Sequence, residues 1–419
     1  MKSTTAYSVT ILVWGLIPLL NAQSFRRDTD TIVMGAGYVQ QVYYQLSSGR
    51  QEPALRCGWH LAFEVPIRGA AIRANHACGV VVYKTTRDTT QWAQLSVADT
   101  LHPLYDDLCY WQKGAFNITA GPSAFDVGWG IYNLQDHVVR GDSLYIIRIG
   151  STFKKLWIQR LQGTDYFIRI ANPDNTQDTA YAVNKSLASG KNFIYLNLLT
   201  HQVLDLEPTP QNWDLLFTQY VRFISPPNQP NVSVPYNLVG ILMNLDVRAA
   251  RVRLTSQANP DTLTVGAYPL DSCISVIGDD WKRFVNGSWS LADTLYFLVR
   301  DKAGAMWRIR FIGFEGSATG KVYLEKAQLT PATYFPTSKN KGEVVIYPQP
   351  AREGIYLILP KVQSIRGELL TLTGRLLLSF EAGDAEQLFL PRPEGLVEGV
   401  YLVRLSSAGY GWVQKVIFE

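Results

Sequence analysis

The sequence predicts an all-β protein: two tandem homologous antiparallel β-domains followed by a small C-terminal β-sandwich. Three observations predict it. Apolar residues come in short runs rich in Val, Ile, Tyr, Phe and Trp, such as "LYIIRIG" and "KVYLEKAQL", and such runs are strand-like. Gly, Pro, Asn and Asp interrupt them about every eight to twelve residues, and no long stretch keeps a helical period. The phrase "WHLAF" at 59–63 returns as "WDLLF" at 213–217, 154 positions later.

That return is not isolated. "DSLYIIRIGSTFKKLWIQRLQG" at 142–163 is matched by "DTLYFLVRDKAGAMWRIRFIG" at 293–313. Both open on Asp-[Ser/Thr]-Leu-Tyr and continue to Trp-x-x-Arg-x-x-Gly, at Trp157, Arg160 and Gly163 and at Trp307, Arg310 and Gly313. Trp129 and Trp281 precede the two Leu-Tyr strands, and a Tyr-bearing strand with a turn precedes each phrase, "YYQLSSG" at 43–49 and "YLNLLTHQV" at 195–203. Landmarks recurring in one order at offsets of 150 to 154 predict an internal duplication, of two domains rather than a solenoid. In a strand the Trp, Leu and Phe of each phrase would share one face, which makes Trp59 and Trp213 core anchors.

Taken from the N-terminus, the chain first offers a secretory signal peptide. Lys2 gives a positive start, Thr10 to Leu20 is apolar, and Ala22 is a small residue after it; this is the pattern of a cleaved export signal. Residues 1–22 are assigned to it, with cleavage after Ala22. The first β-domain is then 23–180 and the second 181–330. "PATYFPTSKNKG" carries Pro and Lys and reads as a linker over 331–342. Residues 343–419 hold six or seven short strands, enough for a small sandwich. No segment past the signal approaches the roughly 20 apolar residues of a spanning helix.

Composition limits the partners. Hydrophobic residues make up 47% of the 419 and charged residues 18%, so large cores can be buried. A net charge of +4, dispersed along the chain, argues against nucleic acid. The four cysteines, Cys57, Cys78, Cys109 and Cys273, can pair in three ways in an oxidising compartment. Cys57 and Cys78 flank one apparent hairpin and are the favoured disulfide. No Cys-x-x-Cys spacing suggests zinc.

Enzyme motifs are missing. Neither His-Glu-x-x-His nor Gly-x-Ser-x-Gly occurs. "GSATGKV" at 316–322 lacks the spacing and the hydroxyl residue of a phosphate loop. The adjacent pairs Asp106/Asp107 and Asp279/Asp280 would point to opposite faces of a strand. The reading is that the chain is not an enzyme.

Two families are resembled. Residues 343–419 resemble the C-terminal sorting domain of proteins exported by the type IX secretion system. The resemblance rests on "YPQPA" with Tyr347, Pro348 and Pro350, on "LLTLTGRLLLSF", and on the final "GVYLVRLSSAGYGWVQKVIFE" with Gly399, Tyr401, Arg404, Lys415 and Val416. Gln349 stands where that family usually has Asn. The resemblance implies export across an outer membrane by that machinery, and either release or anchoring at the cell surface. The two upstream units more loosely resemble the HmuY family of haem-binding surface proteins. The carrying residues are Tyr195, Leu198, Thr200, Trp213, Asp214, Leu215 and Phe217, then the Leu-Tyr strand and the aromatic-x-x-Arg strand. His201 stands where Gly is usual, and His60 where Asp is.

That second resemblance implies haem as a ligand. A haem iron takes strong axial ligands such as His, and the chain has five: His60, His76, His102, His137 and His201. His102 and His137 flank the loop-rich, aromatic segment "YDDLCYWQKGAFNITAGPSAFDVGWGIYN" and are the candidate pair. His60 is expected to alternate with Trp59 and meet solvent, and His76 has no second metal ligand at a useful spacing. The expected function is that of a secreted or cell-surface ligand-binding protein, with haem as the implied ligand. The alternatives are a surface adhesion or scaffold protein binding host proteins or glycans, and an extracellular enzyme of unrecognised type.

Overall fold

A computed structural model describes residues 27–226, 228–263, 268–330, 345–347, 350–358, 365–372, 374–382, 387–407 and 410–419. The signal segment with its cut after Ala22 and the linker 331–342 lie outside the described residues. The protein is all-β: antiparallel sheets with short 3-10 turns between them, and no α-helix among the described residues. Among the described residues, no helix is long and apolar enough to cross a membrane.

The chain divides into two compact units, 1–332 and 333–419. In the first, the strands are β1 (Arg27–Val33), β2 (Gln40–Tyr44), β3 (Gln51–Leu55), β4 (Leu61–Glu64), β5 (Ile72–Ala74), β6 (Val80–Thr85) and β7 (Thr100–Leu104). They continue with β8 (Gly130–Tyr132), β9 (Val139–Gly141), β10 (Leu144–Ile149), β11 (Thr152–Gln162), β12 (Asp165–Ala171), β13 (Thr179–Asn184), β14 (Phe193–Asn197) and β15 (Gln202–Leu204). The rest are β16 (Leu215–Ile224), β17 (Val234–Met243), β18 (Arg248–Arg253), β19 (Lys282–Val285), β20 (Ser288–Leu291), β21 (Leu295–Arg300), β22 (Met306–Phe314) and β23 (Lys321–Thr330).

These strands build two sandwiches of matching order. One packs the sheet β15-β14-β4-β5 against β13-β12-β11-β10-β6-β7; the other packs β3-β2-β16-β17 against β1-β23-β22-β21-β18. Apolar side chains alternate inward from both sheets of each pair. Leu61, Phe63 and Leu196 meet Tyr145, Ile147 and Ile168 in the first core. Tyr44, Leu215 and Phe217 meet Phe297, Ile309 and Leu324 in the second. Fully burying one such side chain contributes about 1.5–3 kcal/mol, so each core is a large stabilising block.

The sheets do not divide at residue 180, where the sequence placed its domain boundary. β2 pairs with β16, Tyr44 opposite Leu215, and β1 pairs with β23. β13 pairs with β12, and β14 pairs with β4, Leu196 opposite Leu61. The first sandwich is therefore a continuous stretch from Leu61 to Leu204, and the second is assembled from 27–55 and 215–330 around it. The physical reason is degeneracy. The strand before each phrase meets the same kind of edge on either phrase, so the local pattern cannot say which copy it will join.

The phrases also depart from the expected face. Leu61 and Phe63 enter the first core and Leu215 and Phe217 the second, but Trp59 and Trp213 pack on the opposite sheet faces, with Ala62 and Leu216. The ladders start only at Leu61 and Leu215 and the chain bends at His60 and Asp214, so alternation does not extend back to the Trp. His60 does not meet solvent. It is buried, and its Nδ1 accepts the Leu198 N–H at 2.9 Å. Asp214 does the same in the other sandwich, accepting the Leu46 N–H at 2.8 Å and the Lys302 N–H at 3.0 Å. Burial holds His60 below the usual imidazole range, which keeps a ring nitrogen free to accept. The two residue types serve one purpose, satisfying a buried N–H of the strand-to-turn segment that crosses over.

Cys57 is bonded to Cys78, and Cys109 to Cys273. The second bridge ties a loop of the first sandwich to a loop of the second, 164 residues apart.

The second unit is a β-sandwich, with β24 (Val345–Tyr347), β25 (Gly354–Ile358) and β28 (Gln387–Pro391) facing β26 (Ile365–Thr371), β27 (Leu376–Ala382), β29 (Gly399–Ser407) and β30 (Tyr410–Phe418). Ile355, Leu369, Val403 and Val416 lie at its core. Of the sorting-motif residues, Tyr347 closes β24, and Pro348 lies outside the described residues. Pro350 is exposed at a bend, and Gly399 opens β29. Tyr401 is buried and donates to the Val397 carbonyl at 2.8 Å. Arg404 pairs with Glu368 across β26 and β29, and Lys415 is exposed opposite Leu402.

Candidate functional site

The outer faces of the two four-stranded sheets turn toward each other, and a cavity of about 80 Å³ lies between them. Its walls are largely aromatic: Tyr43 and Trp213 from one side, Trp59, Phe193 and Tyr195 from the other, and Trp111 from the loop after β7. The two sides mirror each other. Trp213 meets Tyr43 edge-on at 5.1 Å, and Trp59 meets Tyr195 edge-on at 5.0 Å. Trp111 belongs to both packing clusters and donates its indole N–H to the Met243 carbonyl at 2.8 Å, so the loop of one sandwich is pinned to the other.

A polar chain runs across the mirror. Gln41 Nε2 donates to the Tyr43 hydroxyl at 3.0 Å, which lies 3.2 Å from the Tyr195 hydroxyl, and Tyr195 donates to Glu207 Oε2 at 3.3 Å. Glu207 also accepts the backbone N–H groups of Asn192 and Phe193. Burial pushes the Glu207 carboxyl up to about 8, against the lowering effect of those donors, so at neutral pH it is mostly a neutral acid. Arg73 is already engaged. It donates to the carbonyls of Asp107, Tyr110 and Trp111, lies 3.5 Å from the Asp106 carboxylate and stacks on Trp111.

Two donors are left over. The indole N–H groups of Trp59 and Trp213 are buried and have no hydrogen-bond partner, and Trp213 is only 2% exposed. An unmade hydrogen bond at a buried donor costs about 1–3 kcal/mol. Both nitrogens are sealed by the packing around them, so neither opens onto the cavity.

No protein-family model matches this chain, and no curated protein matches it.

The histidines lie elsewhere or are already used. His76 borders the cavity, but its Nδ1 faces the Val80 carbonyl at 2.8 Å and its Nε2 accepts the Asp106 N–H at 3.2 Å, with burial keeping it neutral. His201 sits in a turn and stacks on Tyr181. His102 is exposed on β7, and His137 is exposed in the loop before β9, its Nδ1 held by the Tyr132 hydroxyl at 2.6 Å. Neither lines the cavity. His102 stands on β7, whose ladder with β6 shifts register between Tyr83 and Thr85, and β9, just after His137, joins β11 at Arg160 and Leu161. Among the described residues, no group of three or more His, Cys, Asp or Glu is placed to hold a metal ion.

What sequence reasoning missed is the cavity itself. The loop holding Leu108 and Trp111 stood out as aromatic, and it does form a wall. Trp59 and Trp213 stood out as repeats but were assigned to the cores. The signal that could have moved them is the polar residue after each, His60 and Asp214, an unusual neighbour for a core-strand anchor.

Proposed function

We propose that this chain is an exported, surface-located binding protein, not an enzyme, that holds a small, uncharged, oxygen-bearing ligand in the cavity between its two sandwiches. Glycans are the class favoured over haem. The observation that carries the reading is an aromatic cavity walled by matching Trp and Tyr residues from both sandwiches. Aromatic walls suit the C–H faces of sugars, and the few polar groups fix orientation, as in most small-molecule sites. The charge balance supports an uncharged ligand: Arg73 is offset by Asp106, and Glu207 is mostly neutral at pH 7.

In this reading residues 343–419 serve the type IX machinery and the two sandwiches descend from one duplicated unit, with matching strand order in support. The test uses the mature chain, titrated separately with neutral hexoses, N-acetylated hexosamines and haem while tryptophan fluorescence and visible absorbance are recorded. Saturable fluorescence change with at least one sugar is expected. Stoichiometric haem binding with no response to any sugar would overturn the reading.

A further inference from the structure

We propose that Cys57–Cys78 is an exchangeable disulfide, at which a low-molecular-weight thiol forms a mixed disulfide on Cys57 while Cys78 leaves as a thiolate held by Arg56. Access and charge both select this outcome. Cys57 stands on the segment that crosses from β3 to β4 and is exposed, whereas Cys78 is partly buried at the end of the 3-10 turn His76–Cys78. An incoming thiolate therefore meets the Cys57 side of the bridge first. Arg56 is buried. Its Nη1 donates to Cys78 Sγ at 3.0 Å and to the Ala77 carbonyl at 3.2 Å, and its Nε donates to the Tyr38 carbonyl at 2.7 Å. Two backbone carbonyls thus fix the cation against the sulfur that must take up charge, and an arginine keeps its charge inside a protein. A thiol leaves faster when its thiolate is stabilised, and a neighbouring Arg does that.

The surroundings of Cys109–Cys273 are of the opposite kind. Both cysteines are partly buried. Their own N–H groups are accepted by carboxylates, of Asp107 at 2.6 Å and of Asp271 at 2.9 Å. Cys273 Sγ lies 3.7 Å from the Leu108 carbonyl oxygen and 3.6 Å from the Ser275 hydroxyl. Negative charge and a carbonyl oxygen beside a sulfur disfavour a departing thiolate. One chain thus holds an open bridge with a cation beside it and a sheltered bridge with anions beside it. In the exchange the incoming thiolate forms a bond to Cys57 Sγ, the Cys57–Cys78 bond breaks, and its electron pair passes to Cys78 Sγ. One thiolate is consumed and one is formed, so the thiol is the sole co-reactant.

The test incubates the whole folded chain with limiting reduced glutathione, quenches timed samples with N-ethylmaleimide, and locates both labels by peptide mass. Glutathione on Cys57 and maleimide on Cys78 are expected first, with Cys109–Cys273 intact. Arg56→Met removes the cation and should slow the exchange by about fivefold or more, only part of the leaving charge having formed as the bond breaks. Arg56→Lys should recover much of the rate. A merely structural role for Arg56 gives the reverse, because a loosened turn would speed attack. Glutathione on Cys78, earlier opening of Cys109–Cys273, no exchange at either bridge, or an Arg56→Met rate equal to or above wild type would each overturn the proposal. If Arg56→Met does not fold, the site and order of labelling in the wild type decide the matter.

Discussion

Replacing Glu207 with Gln should change how stability depends on pH. In the folded protein the carboxyl titrates near 8, against an ordinary value of 4.5. Between those values the folded state holds a proton that the unfolded chain has released, so stability falls as pH rises. Each unit is worth 1.36 kcal/mol at full difference. From pH 6.5 to 8 the Glu207 contribution falls by about 1–2 kcal/mol, reduced because the folded group starts to ionise near the top of the range. The window is chosen to avoid other groups. Asp214, pushed up to about 6, has largely finished below it. Buried Lys185 and Lys282, lowered to about 8, mainly act above it. His60 and His76, both lowered by burial, exert their main effect below the ordinary value of 6.5. Gln resembles the protonated acid and cannot ionise. Urea unfolding of both proteins at pH 6.5, 7.2 and 8 should show the wild type losing about 1–2 kcal/mol more than Glu207→Gln. Parallel curves would refute the claim that Glu207 is a neutral acid in the fold.

Three other outcomes are expected. A methyl on Gly141 would lie 1.7 Å from the Ile158 carbonyl oxygen, a backbone atom, so Gly141→Ala should destabilise by about 2–3 kcal/mol or more, read by denaturant midpoint; a shift below 0.5 kcal/mol would contradict the close strand crossing. Residues 59–207 with Cys78→Ser and Cys109→Ser should fold alone and unfold in one transition, whereas residues 213–330 without 27–55 should not, since β2 and β1 are missing from its two sheets; a cooperative transition from the latter would refute the strand exchange. Deleting 343–419 should leave a folded protein confined to the periplasm, checked by cell fractionation, and normal surface display would defeat the sorting-domain reading.

The all-β class was legible because strand signals are local: β-branched and aromatic runs, turn residues, and a repeated order of landmarks. The partner of each strand was not. Tyr43 and Tyr195 precede equivalent phrases, and nothing near either says that it will cross to the other copy's partner. The face of Trp59 and Trp213 was lost for a related reason, because two-residue periodicity holds only inside a ladder and both stand two residues ahead of one. The cavity was hidden because it needs six segments at once: the β2 and β14 strands, the two Trp phrases, the Trp111 loop and Glu207. His102 and His137 flanked the right loop but fell on the outside of the sheet.

The wrapping of one sandwich by the ends of the other has a consequence in time. When Leu55 leaves the ribosome, β2 has only the β3 side of its ladder, and its second neighbour, β16, with β17 beyond it, is complete only at Met243. At about 5–20 residues per second, these nearly 190 residues take roughly 10–40 s to synthesise. Through that interval the leading strands are open edges with sticky aromatic faces, while the middle of the chain can already close on itself. A chain in this position gains from being kept unfolded by escorting factors until it is whole, and slow-translating stretches or early release from such an escort would favour misjoined molecules in which one chain's leading strands complete another's sheet.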